Sequence, residues 1–193
     1  MFVLLDNFDS FTYNLLAQIQ QTGAICRVVR NDRPLAEVLT GEEKGLILSP
    51  GPGQPQEAGN LLAALALAED RRLPVLGICL GHQAIGIHCG ANLQRAGQPR
   101  HGKLSAITVQ PDALFANLPC SLNVVRYHSL LLTDLPACLV PLAHTTEGEL
   151  MALRHRQLPW WGVQFHPEAV LTEGGQLLVS NWLRLAAGLG RAG

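Results

Sequence analysis

The strongest structural signal in the chain is the decapeptide Pro74-Val75-Leu76-Gly77-Ile78-Cys79-Leu80-Gly81-His82-Gln83. Its apolar run at 74–78 predicts a strand buried on both faces, and the residues at 80–89 predict a helix. Cys79 stands at the junction, between two glycines. A sharp strand-to-helix turn crowds the backbone, so small flanking residues favour such a turn. The segment has the form of a nucleophile elbow with cysteine in place of serine.

Strand and helix signals alternate upstream of this junction. Strands are predicted at 2–5, 25–29 and 45–48, and helices at 12–22 and 60–70, the first of them capped by Asp9 and Ser10. Strand–helix–strand alternation predicts a parallel sheet with right-handed crossovers and helices on both faces.

Downstream of the junction the pattern changes. Apolar or alternating segments at 104–109, 124–127 and 161–165 predict antiparallel additions to the sheet, and 175–185 predicts a closing helix. The fold class expected is therefore α/β: a three-layer, doubly wound, mostly parallel sheet with antiparallel additions, in a single domain of residues 1–193.

Composition narrows the classes of function. The chain has 193 residues, 48% of them hydrophobic, and a formal net charge of -1. That apolar share excludes intrinsic disorder, and the charge disfavours nucleic-acid binding. No apolar run reaches the roughly 18 residues of a membrane span. The start of the chain has no basic flank, so we expect no secretory signal, no membrane association and a cytoplasmic location.

Cys79 is the candidate nucleophile. A helix N-terminus favours the thiolate form of a cysteine placed there, and the Leu80 amide would face a developing oxyanion. A lone cysteine is more often a buried structural residue, but the elbow setting favours function. The remaining cysteines lack this setting and are interpreted as structural, and none forms a Cys-x-x-Cys pair: Cys26, Cys89, Cys120 and Cys138.

A thiol nucleophile needs a base and a group that orients the base. The string Gln164-Phe165-His166-Pro167-Glu168 follows an apolar segment, so His166 should emerge at the end of a strand. Glu168 can then reach the far nitrogen of its ring, as the third member of a triad. The alternatives are a plain surface turn for this string, and His82 as the base.

The loop Ser49-Pro50-Gly51-Pro52-Gly53 follows another predicted strand and is rigid and poor in side chains. It could present backbone amides to a substrate carbonyl. Lys and Ser/Thr do not follow its glycines, so it is not a phosphate loop. Taken alone it could equally be a plain turn.

Together, in this order and spacing, the three segments resemble the class I glutamine amidotransferases, and the resemblance covers nearly the whole chain. The strings at 6–14, 101–103 and 126–130 resemble a narrower branch, the small subunits of anthranilate synthase and aminodeoxychorismate synthase. Ala169 departs from this branch, which usually has Ser after His-Pro-Glu. The resemblance implies the flavodoxin-like fold of that family, glutamine hydrolysis, and the passing of ammonia to a synthase subunit in tryptophan or folate biosynthesis.

The resemblance also implies residue roles. Cys79 would be the nucleophile that forms a glutamyl thioester, His166 the acid and base, and Glu168 its orienter. The residues implied to contact L-glutamine are Gly51, Pro52, Gly53, Leu80, Gln83, Ser129 and Leu130, with the amides of Gly53 and Leu80 as oxyanion donors. Lys103, His101, Tyr127 and His128 would lie near the pocket mouth or the partner surface.

The implied partner is a larger chorismate-binding synthase subunit. Mg2+ would belong to that subunit, since thioester chemistry needs no cofactor and no metal-ligand spacing is visible in this chain. Two alternatives stay open from sequence: a stand-alone thiol hydrolase of γ-glutamyl or peptide bonds, and a catalytically silent regulatory subunit. The segment 154–157 is closer to the aminodeoxychorismate type, but the choice of branch also stays open.

Overall fold

The structure is a computed structural model that describes residues 1–97 and 102–189. The strands are β1 Phe2–Asp6, β2 Cys26–Arg30, β3 Leu46–Leu48, β4 Val75–Ile78, β5 Asn92–Arg95, β6 Lys103–Val109, β7 Ser121–Arg126, β8 Leu130–Thr133, β9 Leu139–Thr145, β10 Leu150–His155 and β11 Trp160–Val163. The α-helices are α1 Thr12–Gln21, α2 Leu35–Val38, α3 Leu61–Asp70, α4 Leu80–His88 and α5 Gly175–Leu189, and short 3-10 turns occur at Pro55–Glu57 and Ala113–Phe115.

Nine of these strands form one sheet, in the order β2-β1-β3-β4-β11-β10-β9-β6-β7. The first five strands in this order are parallel and the last four pairings are antiparallel. Strands β5 and β8 pair antiparallel as a separate two-stranded sheet. The predicted fold class, a mostly parallel sheet with antiparallel additions, is confirmed.

One predicted pairing is wrong. The segment predicted at 161–165 as an antiparallel addition is β11, which runs parallel to β4 and antiparallel to β10. Its apolar pattern carries no information on direction, which is set by the short hairpin connection from β10. The parallel register pairs Val163 with Ile78, and the Cys79 amide donates to the Val163 carbonyl at 2.8 Å. The residues after both strands therefore emerge side by side.

Several local expectations also need correction. The residue at the N-cap of α1 is Phe11, without a side-chain cap, while the Asp9 carboxylate accepts the Phe11 amide one turn earlier, at 2.8 Å. Helix α2 and strands β5, β8, β9 and β10 were not predicted from the sequence. Helix α2 has four residues, and β9 contains Pro141, so neither shows a clear period. Helix α5 continues to Leu189 instead of ending at 185.

The two faces of the sheet bury separate cores. In β1, Leu4 packs in the core beneath α1 and α5, while Val3 and Leu5 pack in the opposite core beneath α3 and α4. Trp182 of α5 anchors the first core, with its ring 5.7 Å from that of Phe2. Among the residues described, no helix has the length and apolar character that crossing a bilayer requires.

Candidate active site

The turn at Cys79 adopts a strained conformation that small neighbours make possible. Cys79 has φ 50° and ψ -99°, a region that L-residues rarely occupy. A Cβ on Gly77 would lie 2.3 Å from the Gly81 carbonyl oxygen, and one on Gly81 would lie 2.5 Å from that of Leu48. Cys79 is the N-cap residue of α4, so its sulfur lies at the positive end of a helix. The predicted elbow is therefore present.

His166 and Glu168 lie beside this elbow and are almost completely buried. Nδ1 of His166 is 2.5 Å from Oε1 of Glu168. Burial opposes the charged ring, but the Cys79 sulfur and the Glu168 carboxylate outweigh burial and raise the pKa of His166 to about 10. The structure thus brings together the three residues predicted as a triad, with the ring between sulfur and carboxylate.

Backbone contacts hold the His-Pro-Glu turn against the sheet. The His166 amide donates to the Val125 carbonyl of β7 at 3.0 Å, and the Thr172 hydroxyl donates to the His166 carbonyl at 2.7 Å. The Val125 amide in turn donates to the same hydroxyl oxygen at 3.0 Å. The antiparallel half of the sheet therefore fixes where the imidazole stands.

Two aromatic rings flank the imidazole, and neither ring was predicted from the sequence to contact His166. The ring centroids of Phe11 and Tyr127 lie 5.9 and 5.1 Å from that of His166, and 5.4 Å from each other. They shield the ring from solvent on two sides, which strengthens its interaction with Glu168. Both residues belong to strings that carry the family resemblance, and this was the available signal.

The Pro-Gly loop lies against the elbow. The Asn7 amide donates to the Ser49 hydroxyl, and the Asn7 side-chain amide donates to the Ser49 carbonyl, each at 2.9 Å. A Cβ on Gly51 would lie 2.6 Å from Cβ of Asn7 and 2.8 Å from Cδ2 of Leu80. Gly53 has φ 74°, and Pro52 and Gly53 are exposed. This close packing places the loop at the predicted pocket.

Gln83 connects the elbow helix to the segment at 129–130. Its Nε2 donates to the Leu130 carbonyl at 3.2 Å and to Oε1 of Gln164 at 3.1 Å. The Ser129 carbonyl accepts the Ala96 amide at 2.8 Å. Leu130 and Gln83 therefore lie together near Cys79, and their contact with substrate remains a prediction.

Two of the remaining histidines do not serve the site directly. His82 is fully buried against Gly162 of β11, and burial lowers its pKa to about 4. It packs α4 on the sheet, so the alternative base is not supported. His128 was expected near the pocket mouth or the partner surface, but its ring is buried and bonds inward to Arg126 and the Leu130 carbonyl. His101 lies outside the described residues.

One cluster of metal-ligand type occurs among the described residues. Ligand atoms of Cys89, Cys138 and His155 lie within 4.8 Å of one another. Nδ1 of His155 accepts the backbone amides of Gln157 and Leu158 at 3.0 and 2.9 Å. The lone pair of Nδ1 is occupied by these two hydrogen bonds. In the neutral ring the proton must then be on Nε2, so neither nitrogen has a lone pair available for a metal. We assign no ion to the cluster.

Comparison with known proteins gives a consistent result. The family model described as glutamine amidotransferase class-I matches residues 3–186. The chain is 42% identical to an anthranilate synthase component 2 of Azospirillum brasilense, over 95% of both chains. It is 43% identical to an aminodeoxychorismate synthase component 2 of Klebsiella aerogenes, over 95% of this chain and 99% of that one.

Some relatives are much longer. The chain is 47% identical to an aminodeoxychorismate synthase of Streptomyces griseus over 98% of its own length, but it spans 26% of that protein. Among solved structures, a candidate GMP synthase subunit of Thermoplasma acidophilum has a TM-score of 0.89 at 27% identity, with 98% of this chain and 95% of that chain covered. A Thermotoga maritima glutamine amidotransferase has a TM-score of 0.76 at 16% identity, with 98% and 96% covered, which shows the shared fold.

Proposed function

Because this chain belongs to the class I glutamine amidotransferases, we propose that it is the glutaminase component of a chorismate-aminating synthase. It hydrolyses L-glutamine to glutamate and supplies the ammonia to a larger synthase component. The observation that carries this proposal is the placement of the Cys79 sulfur at a helix N-terminus, beside an imidazole whose other nitrogen is held by Glu168.

The raised pKa of His166 sets the resting state of the site. At neutral pH the ring holds its proton, so the Cys79 sulfur lies beside an imidazolium, and the form of Cys79 that reacts is the thiolate. The thiolate attacks the side-chain amide carbon of glutamine and forms a carbon–sulfur bond. The carbonyl oxygen then takes up the negative charge of a tetrahedral intermediate.

Backbone amides stabilise that oxyanion. The Leu80 amide is in the first turn of α4, where N–H groups have no partner within the helix. The Gly53 amide is proposed as the second donor, since its loop packs on Leu80 through Gly51. One such donor is worth about 3–4 kcal/mol of barrier height.

Proton transfers complete the cycle. His166 donates its proton to the departing nitrogen, so that ammonia leaves and a γ-glutamyl thioester remains on Cys79. The ring, now neutral, removes a proton from water, and the hydroxide formed attacks the thioester. Glutamate leaves, the sulfur departs as thiolate, and His166 is again protonated. Glu168 stabilises the imidazolium in both halves of the cycle.

The synthase component is proposed to dock over this end of the sheet. Apolar side chains are exposed around the triad, and Val170 and Leu171, which follow Glu168 closely in the chain, are 98% and 65% exposed. Phe8 and Tyr127 are 47% and 39% exposed at the same end. Exposed apolar residues grouped round a reactive site are typical of a protein interface. Covering them would keep ammonia from bulk water.

The test is reconstitution with synthase components of both chorismate branches. Each mixture receives glutamine or ammonium, and the aromatic product is identified by chromatography and mass spectrometry. We expect glutamine-dependent product with at least one component. Cys79→Ser should remove that product by more than about 10³-fold and leave the ammonium-dependent rate unchanged.

Two results would overturn the proposal. Full glutamine-dependent turnover by Cys79→Ser would exclude this residue as nucleophile. Strong hydrolysis of γ-glutamyl peptides by the chain alone, with no increase on adding either synthase component, would identify a stand-alone hydrolase.

A further inference from the structure

Gln164 places a hydrogen-bond donor on the candidate nucleophile. It follows β11, is fully buried, and its backbone amide donates to the Met151 carbonyl at 2.9 Å. Its side-chain Nε2 lies 3.6 Å from the sulfur of Cys79, within hydrogen-bonding range for sulfur. The residue belongs to the motif at 164–168, but the motif alone predicted no role for it.

The orientation of the Gln164 amide follows from its neighbours. A main-chain carbonyl accepts only, so the Gln83 amide must turn its NH2 group toward the Leu130 oxygen, 3.2 Å away. The same NH2 group faces Gln164 at 3.1 Å, and the Gln164 atom that meets it must be the oxygen. The NH2 group of Gln164 is therefore left to face the Cys79 sulfur.

A buried guanidinium sets the direction of the bonds behind Leu130. Arg126 is completely buried, and its Nε donates to Nε2 of His128 at 3.0 Å. Since a guanidinium cannot accept, His128 carries its proton on Nδ1 and donates it to the Leu130 carbonyl at 3.0 Å. Burial and the charge of Arg126 lower the pKa of His128 to about 3, so this ring stays neutral.

The Leu130 carbonyl therefore accepts from both His128 and Gln83, and the hydrogen bonds that continue from Gln83 through Gln164 end on the sulfur. We propose that Gln164 is a further functional residue of the site, whose amide N–H stabilises the Cys79 thiolate and holds the sulfur toward His166. A donor of this kind favours the charged form of an acceptor over its neutral form. The proposal deepens the glutaminase function proposed above and rests on it for its catalytic consequence.

The test measures the thiol itself, without requiring turnover. The full-length chain is alkylated with iodoacetamide over a range of pH, and the modification of the Cys79 peptide is followed by mass spectrometry. In Gln164→Met, which keeps the length of the side chain and removes the donor, we expect the titration of Cys79 to move about one to two units higher. In Gln164→Glu, which adds a negative charge, the movement should be at least as large.

Controls separate this effect from unfolding. Gln20→Glu, at an exposed position of α1, should leave the alkylation profile unchanged. The partly buried cysteines Cys26, Cys89 and Cys138 provide an internal check, since partial unfolding of a variant would increase their modification as well. Gln83→Met is a second test of the same donor. It removes the hydrogen bond that orients the Gln164 amide and leaves Gln164 itself unchanged.

The outcomes distinguish this inference from the proposed function. If the profiles of Gln164→Met and Gln164→Glu both superimpose on that of the unmodified chain, the inference is wrong. If the profiles shift as expected but the reconstituted complex shows no use of glutamine, the hydrogen bond is established and the glutaminase proposal fails.

Discussion

Nδ1 of His166 lies 2.5 Å from Oε1 of Glu168, although only Pro167 separates the two residues in the chain. Both side chains are buried, at 2% and 4% exposure, so the carboxylate acts on the ring with little screening by water. The other ring nitrogen, Nε2, is left for Cys79. This short-range pairing fixes the orientation of the ring before any substrate binds, and it fixes the tautomer in the steps in which the ring is neutral.

The first prediction concerns the charge of Glu168. Glu168→Gln keeps the shape of the side chain and removes the carboxylate that raises the pKa of His166. The pKa of His166 should fall from about 10 toward its usual range. We expect the glutamine-dependent kcat of the complex to fall by about 10²- to 10⁴-fold. Ammonium-dependent synthesis should be unchanged.

The shift can be followed by NMR titration of the His166 ring. Glu37→Gln, on the exposed side of α2, is a matched control and should change neither the pKa of His166 nor the glutamine-dependent kcat. A Glu168→Gln protein with wild-type kcat would show that the carboxylate has no part in the reaction.

The second prediction concerns the elbow. Gly77→Ala would place a methyl group 2.3 Å from the Gly81 carbonyl oxygen, a contact with backbone that no rotamer relieves. Overpacking of this kind costs about 1–3 kcal/mol, and backbone contact favours the upper end. Urea unfolding should show that loss. Gly188→Ala, where an added methyl group meets nothing within 4 Å, should leave stability equal or slightly higher.

Strands β1, β3 and β4 of the parallel half were predictable because each is a short apolar run followed by a helix or a glycine-rich turn. The antiparallel half was predicted less completely. In β9, Pro141 and the partly exposed Val140 and His144 break the alternation that identifies a strand. Direction was also hidden in β11, because buried parallel and antiparallel strands can share one apolar pattern.

The candidate site was likewise predicted only in part. His166 and Glu168 are near neighbours in the chain, so a local motif was enough to predict their pairing. The Gln164–Cys79 contact joins residues 85 positions apart, and it depends on the parallel register of β11 with β4. The inward turn of His128 depends on Arg126 being buried, which contradicts the usual preference of arginine for the surface.

The third prediction follows from that arginine. Arg126→Met leaves the Glu149 carboxylate and the His128 ring without their donor. Because Glu149 is 19% exposed, we expect a loss of about 2–4 kcal/mol, below the full cost of a deeply buried charge. The double variant Arg126→Met/Glu149→Leu removes both charges and should recover part of the loss in urea unfolding. Equal losses in the single and double variants would contradict a charge-pair origin.

The fourth prediction tests the proposed docking face. Val170 is 98% exposed, so Val170→Asp should change the free energy of unfolding by less than about 0.5 kcal/mol. If the synthase component covers this position, a carboxylate there should weaken the complex at least about tenfold, measured by calorimetry. Ile25→Asp, also at an exposed apolar position but just before β2 and at the opposite end of the sheet, should leave affinity unchanged. Equal affinities of both variants would place the interface elsewhere.

The fifth prediction links a buried histidine to acid stability. Burial lowers the pKa of His82 to about 4, whereas the unfolded chain has an ordinary histidine pKa near 6.5. Between these values the unfolded state binds a proton that the folded state does not, so stability rises with pH in this window. The contribution of His82 is complete above about pH 6.5 and falls by about 3 kcal/mol as the pH drops toward 4. His82→Leu should therefore flatten the dependence of unfolding free energy on pH between 6.5 and 4, measured in urea, while its curve runs parallel to that of the unmodified chain above pH 7. An unchanged slope in the acid window would mean that the ring takes up its proton within the fold, despite its burial against Gly162 of β11.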